Sequence, residues 1–252
     1  MKLRFLPIAL FFATVSAHAL SDKELDAIGR RVWVNECAGT RDGLTSWNTG
    51  ENFASLGIGH FIWYPKGVSG PFEESFPKLV KFLAANGVAI SPWMEGDCPW
   101  ASRAEFQSQF HSPRANELRE LLVKTLRLQS RFLAQRMKES LAKMLSAAPS
   151  GQRENVKMQF ERLRATGAGT FALIDYVNFK GEGTKAEERY NGEGWGLLQV
   201  LAGMKGSGAG GAREFGRSAA AVLTRRVHNA PPARNEQRWL AGWKSRVAAY
   251  GE

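Results

Sequence analysis

Leu44-Thr45-Ser46-Trp47-Asn48-Thr49-Gly50-Glu51-Asn52-Phe53-Ala54-Ser55-Leu56-Gly57-Ile58-Gly59-His60-Phe61 alternates short strand-prone runs with turn residues. Asp42-Gly43, Asn48, Gly50, Gly57 and Gly59 punctuate it, and glycine and asparagine tolerate the backbone angles that turns demand. Between them Leu44 to Trp47 and Phe53 to Leu56 are long enough for strands only. The pattern predicts a small, irregular antiparallel sheet over about residues 39–64.

The segment before it is helical. Ser21 followed by Glu24 forms a capping box, and Leu25, Ile28, Val32 and Glu36 recur at helical spacing. Glu36 therefore stands on the apolar side of a helix, at its end. A carboxyl desolvated in that way holds its proton more tightly, as a proton donor near neutral pH requires. An ordinary surface or salt-bridged glutamate has the same spacing.

The segments after the sheet are helical too. Pro71 to Ala85 stops at Asn86-Gly87, and residues 87–100 form a loop. Ser102 with Glu105 caps a short helix. Ser112-Pro113 opens the longest helical run, toward Pro149 with room for a break. Ser150 to Arg164 and Thr170 to Phe179 follow as helices. A glycine-rich linker at Gly206 to Gly211 precedes two terminal helices. The expected fold class is α+β, mainly α-helical, with a small β-hairpin sheet beside a helical lobe.

Lys2 and Arg4 precede an apolar run from Phe5 to Ser16, and Ala17-His18-Ala19 follows it. This is the layout of a secretory signal cleaved after Ala19, and the run falls short of the ~20 residues that span a bilayer. Residues 1–19 are thus expected to leave, and 20–252 to form a single domain, monomeric and periplasmic or secreted. No later segment is apolar enough to span a membrane. The net charge is +10, and +8 once Lys2 and Arg4 are gone. For an exported protein such a surface suits an acidic polymer such as the cell wall. Arg225, Arg226, Arg234, Arg238, Lys244 and Arg246 read as a solvated basic face, and no nucleic-acid motif accompanies them. Cys37 and Cys98, an even count in an oxidising compartment, are expected to pair as a disulfide. No zinc spacing and no cofactor motif occurs.

Residues 21–62 resemble the core of phage-type lysozymes. In that family a glutamate closes the first helix, a hairpin with a small carboxylate follows, and a hydroxyl residue precedes a Gly-Ile-Gly-His-like strand. Glu36 matches the glutamate, and Ser55 matches the hydroxyl before Gly57-Ile58-Gly59-His60. The resemblance implies a lysozyme-like fold and a glycosidase that cleaves peptidoglycan, or a related amino-sugar polymer, with Glu36 as general acid.

Where the family has its small carboxylate, this chain has Asn48, which is no base. Glu51 and Asp42 are the nearby carboxylates. If either serves, an inverting hydrolase follows, with carboxyls ~6.5–9.5 Å apart. If neither does, Glu36 works alone as acid and then base, as in lytic transglycosylases, while Asn48 or Ser55 orients water or an N-acetyl group. His60 is a candidate hydrogen-bonding contact. Trp47, Phe53, Trp63 and Tyr64 fit sugar stacking and core packing equally. Gly196-Leu197-Leu198-Gln199 is similar to a Gly-Leu-Met-Gln stretch of the transglycosylases, which adds Tyr190, Glu193 and Gln199 as substrate contacts from the second lobe. Tyr176, Asn178 and Glu182 occupy a similar expected turn. Chitosanases share the broader fold, but their cationic substrate would be repelled by this chain. A non-catalytic wall-binding protein is the alternative that the Asn48 departure favours.

Overall fold

Residues 20–70 and 72–252 are described by the computed structural model. The signal segment and its cleavage after Ala19 lie outside the described residues. Helix α1 spans Asp22–Cys37 and opens as the sequence predicts: Glu24 N–H donates to Ser21 Oγ at 3.3 Å, and Ser21 N–H donates to Glu24 Oε2 at 2.8 Å. Leu25, Ile28, Gly29 and Val32 form its buried stripe. Gly29 is required there, because a Cβ would stand 2.3 Å from Ser130 Oγ on the helix α1 packs against. Ala38 and Gly39 both have positive φ, and the Gly39 N–H reaches back to the Trp33 carbonyl at 3.2 Å. The chain therefore reverses immediately after Glu36.

Strands β1 (Thr45–Ser46), β2 (Ala54–Leu56) and β3 (Phe61–Trp63) form the expected antiparallel sheet in the order β1-β2-β3. Ser55 faces Ser46 on one side and Ile62 on the other; Leu56 lies between Thr45 and Phe61. The β2–β3 turn is tied into the helical body by Gln129. This buried side chain accepts from Ile58 N–H at 3.0 Å and donates to the Leu122 carbonyl at 2.7 Å. Gly57, at φ 68°, makes room for it. Arg119, fully buried, anchors the other end by donating to Thr45 Oγ1 and the Phe110 carbonyl.

Helix α2 spans Phe76–Ala85 and stops at Asn86-Gly87 as expected, but it starts later than Pro71. The preceding residues serve β3 instead: Ser75 Oγ accepts from Ile62 N–H at 2.9 Å, and Glu74 Oε1 accepts from Tyr64 N–H at 2.9 Å. Helices α3 (Arg103–Ser108), α4 (Pro113–Lys124) and α5 (Leu126–Ala147) follow. The long run breaks at Thr125, whose hydroxyl turns back to the Leu121 carbonyl at 2.8 Å. Next come α6 (Ser150–Arg164) and α7 (Gly167–Lys180), whose middle is buried on every side and which touches α1, α5, α6, α8 and α9. A second hairpin, β4 (Arg189–Tyr190) with β5 (Glu193–Gly194), precedes α8 (Leu197–Ala202), α9 (Gly211–Asn229) and α10 (Gln237–Ala248). The chain is thus mainly helical with a small antiparallel sheet. One continuous cluster of buried apolar side chains links the sheet to the helices. No helix among the described residues is long and apolar enough to cross a membrane.

The expected Cys37–Cys98 bridge is not formed. Both are buried free thiols at opposite ends of β3: Cys37 Sγ faces the Gly57 carbonyl, and Cys98 lies beside Pro65 with Sγ toward the Trp100 carbonyl. Burial pushes the Cys37 thiol up to about 12 and the Cys98 thiol up to about 11, so both stay protonated.

Gln129→Leu keeps the volume but leaves the Ile58 N–H buried without its acceptor and takes from the Leu122 carbonyl its closest donor. It is expected to lower stability by about 3 kcal/mol in urea denaturation.

Candidate functional site

Glu36 stands in the last turn of α1 with its side chain 12% exposed. Three elements meet it. The β2–β3 turn contributes His60, which has a positive φ of 47° and whose Nδ1 lies 3.4 Å from Glu36 Oε2. Helix α10 contributes Arg246, whose Nη2 hydrogen-bonds Glu36 Oε1. Helix α7 contributes Asp175, which Arg246 grips with two parallel bonds, Nε to Oδ2 and Nη2 to Oδ1, each 2.8 Å.

Asp175 is fully buried, and its remaining acceptor positions are taken. Tyr250 Oη donates at 2.6 Å and Asn35 Nδ2 at 3.1 Å. Burial, then the Asp175 charge, pushes the Tyr250 phenol well up, so it remains a donor. Burial acts to lower Arg246, but Asp175 and then Glu36 outweigh it and hold the guanidinium firmly charged. The arginine also lies on the Phe179 ring, 4.1 Å from its centroid.

The surroundings of Glu36 are therefore not the apolar pocket that helical spacing suggests. A guanidinium and an imidazole face it. The stoichiometry matters more than the contact itself, since two carboxylates share one guanidinium. Asp175 holds that cation bidentately in a dry position, so Glu36 is the surplus negative charge and the more accessible of the two.

The remaining expected site residues are dispersed. Asn48 is exposed and donates to Glu51 Oε2 at 3.1 Å, so these two hold each other at the hairpin. Asp42 lies 3.6 Å from Arg119 Nε. Ser55 is buried in the central strand at 3% exposure. Trp47 packs on Phe106 and donates to the Glu51 carbonyl at 2.9 Å. It also lines a cavity of about 480 Å³ with Ser46, Phe110 and His111. Phe53, Trp63 and Tyr64 are core residues.

Among the second-lobe residues, Gln199 is engaged structurally. Its amide accepts from Gly196 N–H at 2.9 Å and donates to the Gly183 carbonyl at 3.0 Å. Glu193 pairs with Arg225 at the surface. Tyr190 donates to Glu236 Oε1 at 2.9 Å. Tyr176 and Asn178 lie within α7 rather than in a turn. Arg246 and Arg226 do not belong to a solvated basic face; both are mostly buried and ion-paired.

Asp175, Arg246 and Tyr250 are the residues that sequence reading missed. The available signal was Asp175 itself, one acid in the otherwise apolar run Phe171 to Val177. A charge on a helix buried all round needs a partner. Among the described residues no group of three or more His, Cys, Asp or Glu is placed to hold a metal ion. A second cavity, of about 280 Å³, lies over α5 between α2 and the turn after α7, bounded by Lys78, Phe82, Arg136 and Glu182. Glu36 lines neither of these two cavities. Compared with protein-family models, characterised proteins and solved structures, the chain matches none.

Arg246→Met strands the Asp175 carboxylate without its cation. Chemical denaturation is expected to show a loss of about 3–5 kcal/mol, whereas the same change at the exposed Arg238 should be nearly neutral.

Proposed function

We propose that this chain is a lysozyme-like glycosidase, exported to the periplasm or beyond, that cleaves the glycan of peptidoglycan with Glu36 as proton donor. The observation that carries the reading is the placement of Glu36, partly exposed at the end of α1 and facing His60 of the β2–β3 turn. Arg246 orients the Glu36 carboxyl from the helical side, and His60 faces it from the sheet side. Glu36 would protonate the glycosidic oxygen as the bond breaks and the sugar flattens toward an oxocarbenium ion. The carboxylate left behind is then held by Arg246 and His60, ready to take a proton from water or from a sugar hydroxyl. The order of elements supports a lysozyme-like fold: a helix closed by a glutamate, a three-stranded sheet and then helices.

The second catalytic group is open on the same geometry. Glu51 is engaged with Asn48, and Asp42 leans on Arg119. Hydrolysis needs one of them; a transglycosylase needs neither. The ends of the released chains separate the two, reducing for hydrolysis and anhydro for intramolecular closure.

One observation favours a second reading, a wall-binding protein without turnover. Glu36 is ion-paired and Asn48 stands where the lysozymes carry a carboxylate.

Glu36→Gln is expected to lower release of soluble fragments from purified sacculi by about 10²–10⁴-fold, with an unchanged melting temperature. Undiminished release would falsify the assignment of Glu36. Sedimentation of the wild-type chain with sacculi, without any release, would select the binding protein instead.

A further inference from the structure

Lys180, the last residue of α7, has no part in the chemistry above. Its ammonium lies 3.5 Å from the centroid of the Trp243 ring and 3.8 Å from that of Phe179. Those two rings also carry arginines: Arg246 is 4.1 Å from Phe179, and Arg226 is 5.0 Å from Trp243. Three cations therefore line one aromatic wall that begins at Glu36.

Two of the three are matched. Arg246 is gripped by Asp175, and Arg226 donates two bonds of 2.8 Å to Glu236, whose carboxylate is fully buried. Lys180 has no carboxylate within ion-pair range among the described residues. The charged groups that act on it are Arg226 from α9, Glu236 at the start of α10, Arg246 from α10 and Glu36 from α1. Burial first, and then the Arg226 charge, lowers the ammonium to about 6. The aromatic contacts offset part of that cost, but rings cannot replace a counter-ion. A cation held in this way gains most from an anion brought in from outside.

We propose that Lys180 is a carboxylate-binding residue on the aromatic wall beside Glu36, taking an acidic group of the wall polymer next to the sugar that Glu36 protonates. The choice of polymer rests on the function proposed above; the preference for a carboxylate rests on the unmatched ammonium alone. Peptidoglycan carries such groups on its peptide side chains, and neutral amino-sugar polymers do not. Because the bound form is the ammonium, binding draws a proton onto Lys180. Affinity is then fullest below about pH 6 and declines as the pH rises above it.

The test is sedimentation binding to purified sacculi in the Glu36→Gln background, which digests nothing under that reading. Sacculi whose carboxyls have been amidated are run in parallel. Lys180→Met keeps an apolar stem on the two rings and removes the charge; Lys157→Met, on an exposed face, controls for lost net charge. Lys180→Met is expected to weaken binding to native sacculi about tenfold and to leave binding to amidated sacculi unchanged, with Lys157→Met near the parent on both. The deficit should be larger at about pH 5.5 than at about pH 8. A thermal melt at each pH checks that the variant is folded.

Equal binding of Lys180→Met and its parent to native sacculi overturns the proposal, as does an equal loss on both kinds of sacculi, or no binding by the parent at all. If Glu36→Gln turns out to digest sacculi, the glycosidase assignment falls, and Lys180 is still judged by the same comparison at short contact time.

Discussion

The guanidinium of Arg246 is the constraint on which the site depends. Asp175 sits in the middle of a helix that is buried on every side, and an isolated carboxylate there would be severely penalised. Its cation comes from α10, and that same cation reaches Glu36 at the end of α1. Helices distant in sequence are thereby fixed to a common point. Tyr250 and Asn35 complete the shell, so Asp175 keeps one orientation, and Arg246 presents its outer nitrogen to Glu36 in one direction. A buried ion pair of this kind adds little net stability over apolar packing, but it is costly to break. Its contribution is positional: it holds a carboxyl within reach of both the sheet and the helical body.

The sheet side is positioned by a neutral device. Gln129 satisfies the turn between β2 and β3 from inside the core, and Gly57 gives it the space. His60 then emerges from that turn toward Glu36. The carboxyl is thus approached by an imidazole from one side and a guanidinium from the other, through two independent buried anchors.

Much of the architecture was legible in local chemistry. The Ser21–Glu24 box, the Asn86-Gly87 stop, the Ser112-Pro113 start and the turn residues around the sheet each fix an element through neighbours only a few positions away. The start of α2 was not legible, because Glu74 and Ser75 are recruited by β3 through contacts that helical periodicity does not register. The second hairpin was overlooked although Asn191-Gly192 has the paired positive φ of a tight β-turn. Glu36 could be placed on its helix end from spacing, but its surroundings could not. What faces it depends on Arg246, which is 210 positions away, and on an acid hidden in an apolar run. Tyr190 and Gln199 stood out as polar groups among glycines; they prove to close local hydrogen bonds around Glu236 and Gly196.

That separation along the chain has a consequence for biosynthesis. A ribosome produces the Glu36 helix and the sheet early, and for most of the elongation time the arginine that receives both carboxylates has not been made. Contacts spanning such a distance are slow to form, because the intervening chain must be ordered first. Fragments that end before Arg246 carry an unanchored Glu36 and a stranded Asp175. Closure of the cluster is therefore a late event in folding, since it waits for α10 to dock its arginine between an acid in the core and one at the end of α1.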